Sequence, residues 1–462
     1  MELLKNGEII NSWISAFSIS DRKHYPNAKK RRYHKVIKFR CDFPSTQVKV
    51  MLARGWVQID DPNDTDWNLW WCETNDIRLA FENKLAPHQR VPHFRNHYEL
   101  TRKNYLYRNL KRYEKLLINS GKQNEGKFCS SMPITFELPN EYRMLVEEYR
   151  KQQGSTWIVK PVTGSQGRGI FLFRKLKDLY EWKPKESTAN ASTTHTNAGK
   201  VETFVVQKYV ENPYLLAGRK FDLRIYVLVT SFHPLKVWLA REGFARLSGE
   251  LFALDKIDDS RIHLTNMAIQ LKGRSLDDEK HSSPENSKHG YKWSLRKVRE
   301  YMTARHGVTA VNNLLSRIAG VIMASLQAVQ PVMMQENNSF ELYGYDILLD
   351  EHLTPWLLEV NASPALAPTD HEDYRVKFDI LDDVLNILDL ERMLTGSEIR
   401  VGGFDLLWND APVWITCPNP LPCGNEPLNC PTHLKRLNIF LGARNNRVEQ
   451  LRQLHESLKD NL

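Results

Sequence analysis

Two acidic side chains and an amide stand where a short hairpin would bring them together. Tyr345-Asp346-Ile347-Leu348-Leu349 and Trp356-Leu357-Leu358-Glu359-Val360-Asn361 are apolar runs joined by a polar connection. Pairing Leu349 with Trp356 sets Asp346 opposite Glu359, and alternation turns Asn361 to the same face as Glu359. Facing carboxylates repel unless a cation lies between them, and oxygen donors of this kind suit Mg2+. Spacing alone leaves open a plainer reading, a solvated Asp and Glu on an edge hairpin.

Cations stand at three further places. Lys160 ends an apolar strand and precedes Pro161-Val162-Thr163-Gly164-Ser165-Gln166-Gly167-Arg168-Gly169. Glycines let backbone N–H groups approach phosphate oxygens, and the lysine adds a point charge; the same segment could be a simple turn. Lys220, Asp222 and Arg224 alternate with Phe221, Leu223 and Ile225, so one strand face is charged plus, minus, plus. That face is either solvated or, set in a cleft with Lys160 and Asp346, able to bind phosphates. Arg246 and Lys292 are isolated cations beside apolar residues, and each alone reads as structural. The P-loop pattern, G-x-S-x-G, H-E-x-x-H and the kinase motifs are absent from the sequence. Cys417, Cys423, Cys430 and His433 are irregularly spaced for zinc.

Elements that would position these groups follow from periodicity. Gly55–Ile59 and Asp66–Trp71 read as short strands, and Leu106, Leu110, Tyr113 and Leu117 mark one apolar helix face. The opposite face of that helix carries Arg108, Lys111, Arg112 and Lys115. A second helix runs on from Pro139. Strands are expected at Thr156–Val159, Gly169–Phe173, Phe204–Tyr209, Phe221–Thr230, Lys236–Leu239, Glu341–Leu349 and Trp356–Asn361, with residues 295–330 mainly helical. Residues 184–200 and 272–290 are polar loops. Helices and strands mixed in this order predict α/β or α+β lobes.

With 41% hydrophobic residues among 462, the chain can bury a large core. It has no run of 18 apolar residues and no secretory leader pattern, and its six cysteines form no C-x-x-C pair. A soluble intracellular protein without a membrane span is the expectation. The net charge of +9 is local: residues 22–40 hold nine Lys and Arg and no acid, and the rest of the chain is balanced. Such an arm suits an acidic protein tail, an import receptor or nucleic acid, or is a solvated terminus. Nucleic acid is the weaker reading, since no recognition module accompanies the arm.

In order along the chain, these pieces resemble the tubulin tyrosine ligase-like family. The matching stretches are Phe94-Arg95-Asn96-His97-Tyr98-Glu99-Leu100-Thr101-Arg102-Lys103, Trp157-Ile158-Val159-Lys160-Pro161, Gly218-Arg219-Lys220-Phe221-Asp222-Leu223-Arg224, His263-Leu264-Thr265-Asn266 and Trp356 through Pro364. The resemblance covers about residues 45–395, and Gly402–Leu406 and Gln450–Leu454 extend it toward one polyglutamylase type. Arg168 departs from it, standing where lysine is common. The basic arm is outside the shared pattern.

The resemblance implies an ATP-grasp fold behind a small N-terminal domain. The implied division is a basic extension (1–44), an N-terminal domain (45–155), a central lobe (156–210), a C-terminal lobe (211–395) and a tail (396–462). It also implies a metal role for Asp346, Glu359 and Asn361, holding two Mg2+ ions. Lys160, Gln166, Gly167, Lys220, Asp222, Thr265, Asn266 and Lys103 would contact ATP, with Gln207, Lys208, Tyr209 and Val210 meeting the adenine. Lys220 and Arg224 would be the catalytic cations, and Arg246 with Lys292 would hold the incoming glutamate. The implied activity is ATP-dependent polyglutamylation of tubulin tails with free L-glutamate, in the cytoplasm and on the cytoskeleton, including cilium or flagellum. Accessory subunits are implied partners. The competing readings are a microtubule scaffold with an inactive site and a ligase for another amino acid such as glycine.

Overall fold

Charged and apolar residues alternate in Lys38-Phe39-Arg40-Cys41, and this segment forms strand β1 (Lys38–Cys41), with Phe39 and Cys41 buried. It is the middle strand of a parallel sheet, between β2 (Val57–Gln58) and β3 (Leu69–Trp71). Parallel neighbours need a crossover, and helix α1 (Thr46–Ala53), capped by the Ser45 side chain, lies between β1 and β2. The end of the basic arm is thus woven into a sheet. Lys38 pairs with Asp66 at 2.6 Å and Arg40 with Asp42 at 2.9 Å, which removes two of the arm's charges from long-range attraction. The computed structural model describes residues 36–61, 63–82, 84–162, 167–181, 203–270, 291–416 and 435–459. The arm through residue 35, the Gln166 position, the two polar loops and the Cys417–His433 stretch lie outside the described residues.

Helix α2 (Lys103–Asn119) buries Leu106, Leu110 and Leu117, as the periodicity predicts. Its cationic face is less open than the sequence suggests. Arg108 pairs with Glu137, Lys111 with Glu114 at 3.0 Å, and Arg112 donates to the Ala328 carbonyl at 3.4 Å. A four-stranded antiparallel sheet follows, in the order β4 (Thr135–Leu138), β7 (Phe204–Lys208), β5 (Trp157–Pro161), β6 (Phe171–Phe173). Trp157, Val159, Phe173 and Val206 pack with Leu145 of helix α3 (Tyr142–Lys151).

The largest sheet is antiparallel. Its order is β13 (Pro355–Asn361), β12 (Glu341–Leu349), β9 (Arg219–Phe232), β10 (Leu235–Leu247), β15 (Phe404–Asn409), β14 (Arg400–Val401), with β8 (Leu215–Leu216) on β9 and β11 (Lys292–Ser294) on β10. Strand β12 is buried along its whole length, and its run of Leu, Tyr and Ile is that of an interior strand. Strand β10 extends well past Leu239, where the sequence reading stops it, because pairing with β9 resumes after an irregularity at Leu239/Gly243. The last strands belong to the stretch read as a tail, and β15 is joined to β10 by a buried Arg241–Asp405 pair at 2.6 Å.

Helix α4 (Leu295–Val329) starts at a Ser294 cap and is interrupted at Gly307, whose φ of 81° lies in the left-handed region. By length and composition alone it could cross a membrane. Leu314, Ile318, Val321, Ile322, Leu326 and Val329 instead join the core of the large sheet. Helix α5 (His371–Leu388) is capped by Asp370, and helix α6 (Arg447–Lys459) closes the described chain after the β16 (Trp414–Thr416) and β17 (Lys435–Leu437) pair.

Candidate active site

A cleft runs between the four-stranded sheet and the large sheet. Strands β5 and β7 supply Ile158, Lys160, Gln207 and Lys208 to one wall, and β9, β10, β12 and β13 supply Lys220, Asp222, Arg246, Asp346, Leu348, Leu358 and Glu359 to the other. Lys103, Gly167, Tyr209, Val210, Thr265 and Asn266 also line it, with Pro133 and Ile170 adding apolar surface, whereas Arg224, Lys292 and Asn361 are not part of this lining. Among the described residues, its lining has no Ser or Cys. Gly167 has a φ of +74°, and a Cβ there would lie 2.5 Å from Ile269, so the turn after Lys160 is closed to larger residues.

The hairpin brings Asp346 opposite Glu359, but by a different register. Leu349 pairs with Pro355, Leu348 with Trp356 and Ile347 with Leu357. An irregularity between Asp346 and Ile347 then leaves Leu358 as an extra residue and restores the Asp346–Glu359 pair. Asn361 Nδ2 lies 3.4 Å from both Asp346 Oδ2 and Glu359 Oε1. Half a turn of this amide would bring Oδ1 to the same place, giving three oxygen donors for a hard divalent cation, and the residues present fit Mg2+. Among the described residues no three His, Cys, Asp or Glu side chains gather in this way. A third oxygen donor at this position would therefore have to come from the amide.

Cross-strand registry decides what neutralises the carboxylates. Arg224 sits opposite Asp346, and Arg246 sits opposite Asp222. Arg224 donates Nε and Nη2 to Asp346 at 2.6 and 3.1 Å. Arg246 Nε donates to Asp222 at 2.9 Å, and its Nη2 reaches Asp222 and also Asp346, the latter at 2.7 Å. Arg246, expected to face a substrate carboxylate, is thus held by two aspartates of its own sheet. Lys103 at the start of α2 pairs with Glu359 at 3.0 Å. Lys292 is directly across the β10–β11 pair from Arg246, over the Phe244 ring at 3.9 Å, and bonded to Asp373.

Burial shapes the ionisation of these groups. It lowers Lys160 to about 8, against the opposing pull of Glu359. It lowers Lys220 to about 7, with the Lys160 charge adding to the effect. Burial also pushes the Asp346 carboxyl up, although Arg224 and Arg246 pull it back. At Glu359 burial is outweighed by Lys103, which holds that carboxyl well below the usual range. Lys160 donates to Gln207 Oε1 at 2.6 Å, and Gln207 donates in turn to Thr135.

Some residues escape a reading by sequence. Asp373 on α5 is shared by Lys292 and by Lys377, at 2.8 Å from the latter, and Lys377 is 3% exposed. An Asp and a Lys four apart on a helix ordinarily read as a solvated pair, so local spacing carries no sign of their burial. His263 is likewise buried against Tyr209 and Lys220.

The sequence matches the model of the tubulin-tyrosine ligase family over residues 81–395, a span that holds every site residue above. It is 45% identical over 455 residues to the probable tubulin polyglutamylase TTLL9 of Bos taurus, covering 93% of this chain and 95% of that one. It is 43% identical over 384 residues to the probable tubulin polyglutamylase ttll-9 of Caenorhabditis elegans, covering 82% and 87%. The probable alpha-tubulin polyglutamylase Ttll1 of Tetrahymena thermophila is 39% identical over 400 residues, covering 82% of this chain and 94% of that one.

Proposed function

The chain belongs to the tubulin-tyrosine ligase family, and on that premise we propose that it is an ATP-dependent tubulin polyglutamylase of ATP-grasp architecture. The observation that carries this reading is the convergence in one cleft of three carboxylates, Asp222, Asp346 and Glu359, an amide beside two of them, and six cations, Lys103, Lys160, Arg168, Lys208, Lys220 and Arg246. A single anion would not need so many charges; a nucleoside triphosphate meeting two carboxylate substrates does.

On this reading the four-stranded sheet and the large sheet are the lobes that hold ATP; the first draws β4 from the 45–155 stretch as well as strands of 156–210, and the second draws β14 and β15 from the tail as well as strands of 211–395. The adenine lies at the apolar end near Ile158, Tyr209, Val210 and Leu348, and its phosphates reach Lys160, Lys220 and the Gly167 turn. Asp346, Glu359 and Asn361 are the side chains that would hold Mg2+, whose charge offsets that of the phosphate oxygens. Arg224 orients Asp346 through its fork of two hydrogen bonds.

The reaction follows from the poor electrophilicity of a carboxylate. A side-chain carboxylate oxygen of a tubulin-tail glutamate attacks the γ-phosphorus of ATP, the bond to the β-phosphate oxygen breaks, and ADP leaves. The amino group of free L-glutamate then attacks the acylphosphate carbonyl carbon. The carbon–oxygen bond to phosphate breaks, the nitrogen loses a proton, and an isopeptide branch remains. Lys160 and Lys220 hold phosphates in line, and Arg246 and Lys292 hold the carboxylates of the incoming amino acid. To receive one, Arg246 exchanges a carboxylate of its own sheet for that of the substrate. No protein nucleophile is required.

Tubulin is then the protein partner, and the microtubule cytoskeleton, including cilium or flagellum and basal body, is the place of action. Accessory subunits of a polyglutamylase complex are the partners to seek by pull-down. Purified protein incubated with tubulin, ATP and isotopically labelled Glu, Gly or Tyr, read by intact mass, tests the proposal. Mass increments from Glu alone are expected; increments from Gly, or none from any amino acid, overturn it.

A further inference from the structure

A continuous set of hydrogen bonds runs from the cleft to a buried histidine outside the set of residues assigned above to ATP, metal or glutamate. Lys220 Nζ donates to the Tyr209 hydroxyl at 2.9 Å and to the His263 backbone carbonyl at 2.8 Å. The Tyr209 hydroxyl is 3.0 Å from His263 Nδ1, and His263 Nε2 is 2.9 Å from the Lys256 carbonyl. These contacts fix every proton. A carbonyl only accepts, so Nε2 carries the hydrogen, and Nδ1 of the neutral ring is left as an acceptor. The tyrosine must therefore donate to Nδ1, and its oxygen is free to accept from Lys220. The chain has one direction, Lys220 to Tyr209 to His263 to Lys256.

The ring is locked from its faces as well as its nitrogens. Tyr209 and Phe252 meet it edge-on, with ring centroids 5.6 and 5.9 Å away, and His263 is 1% exposed. Burial, joined by the nearby Lys220 charge, lowers the imidazole from its ordinary value, which keeps the accepting nitrogen bare. The ammonium lies 4.4 Å from the Tyr209 ring centroid. In the charged form that a phosphate favours, two of its three N–H groups are taken by Tyr209 and His263, so one is left to aim at the cleft. A lysine has a long flexible stem and no directional fork of its own; here its direction is imposed by two fixed acceptors, both belonging to or held by His263.

We propose that His263 is a positioning residue for nucleotide phosphate, orienting Lys220 through Tyr209 and through its own carbonyl. The inference rests on the ATP-dependent ligase reading. It places the specificity of the effect on ATP rather than on glutamate, because Arg246 and Lys292 are held by other partners.

The test is a double-variant cycle in the full chain, with steady-state kinetics for ATP and for glutamate. Tyr209→Phe and His263→Phe each remove two bonds of the chain, with the Tyr209–His263 bond in common, while keeping a ring. Each is expected to lower kcat/KM for ATP roughly ten- to a hundredfold, with KM for glutamate unchanged. The double variant should be no worse than the worse single one, because both break one chain. His263→Asn, which restores an acceptor near Nδ1, should recover most of the loss. Multiplying effects in the double variant, an Asn variant no better than Phe, or an equal rise in KM for glutamate would overturn the proposal. If His263→Phe does not fold, comparison of Tyr209→Phe with His263→Asn and 15N-histidine NMR of the wild-type chain still decide. An Nε2–H tautomer supports the chain and an Nδ1–H tautomer refutes it. A wild-type protein that neither binds ATP nor transfers glutamate would refute the ligase reading itself, whereas an active wild type with equally active variants would refute only the role of His263.

Discussion

Replacing Glu359 with Gln separates what this carboxylate does for the fold from what it does for the chemistry. The side chain is 25% exposed and its ionic partner is Lys103, at 3.0 Å. Glutamine has nearly the same shape, and its Oε1 still accepts from Lys103 and stays beside Asn361. The structural loss is the charge-assisted part of one hydrogen bond, about 1–2 kcal/mol. In the reaction the missing charge removes one of only two carboxylates at the metal position. Losing one preorganised charge of this sort costs about 3 kcal/mol at the transition state, roughly two orders of magnitude in rate. Glu359→Gln should therefore melt within a few degrees of the wild type while its turnover falls about a hundredfold. Thermal melting, retention of a fluorescent ATP analogue and incorporation of labelled glutamate into microtubules read the three effects separately. Turnover within a few-fold of the wild type would refute the metal assignment. So would recovery of activity in a Lys103→Gln/Glu359→Gln double variant, since Glu359 would then serve only to neutralise Lys103.

Arg246→Lys keeps a positive charge between Asp222 and Asp346 but loses the fork; KM for glutamate should rise at least about tenfold with KM for ATP little changed, and a shift confined to ATP would move Arg246 to the nucleotide site. Lys160 and Lys220, lowered to about 8 and about 7 by burial, are partly neutral in the free protein at pH 8. A polyanion favours their charged forms, so ATP binding should take up protons at pH 8 and weaken as pH rises from 7 to 9. Calorimetry in buffers of different ionisation enthalpy measures the uptake, and zero uptake at pH 8 contradicts the reasoning. Arg447 on α6 pairs with Asp382 and with Asp383 at 2.9 Å, both on α5. Arg447→Ala should destabilise the chain by about 3 kcal/mol because it leaves buried carboxylates under-paired, and an unchanged melting temperature would count against it. Deleting residues 1–35 should weaken microtubule pelleting at low salt and matter little at high salt, since attraction through solvent is screened within about 8 Å at physiological ionic strength; a salt-independent loss would point to a docked segment instead.

Local pattern was enough to find much of this site. Alternation along Lys220–Ile225 and in the Asp346 and Glu359 strands put the charged residues on common faces, and the glycines after Lys160 marked a tight turn. Those inferences depend on a period of two and on backbone freedom, both of which are properties of neighbours in the chain. Charge composition misjudged Lys38–Arg40, which read as part of a basic arm although Phe39 and Cys41 make the segment an interior strand. The family resemblance supplied the order of the pieces and their chemical roles.

Tertiary structure decided which charges meet. Lys103 reaches Glu359 and Lys292 reaches Asp373 because helices α2 and α5 pack beside strands distant in sequence. Registry across β10, β9 and β12 sets Arg246 on Asp222 and Arg224 on Asp346. A slip of one residue would turn each set to the other face. The bulge at Leu358 preserves the Asp346–Glu359 pair despite a connection one residue out of step with simple pairing. His263 is bound to Lys220 through a tyrosine on another strand's edge. A sequence specifies these contacts only through the energy of the whole packed chain, since burial sets the cost of each unpaired charge and burial belongs to no single segment.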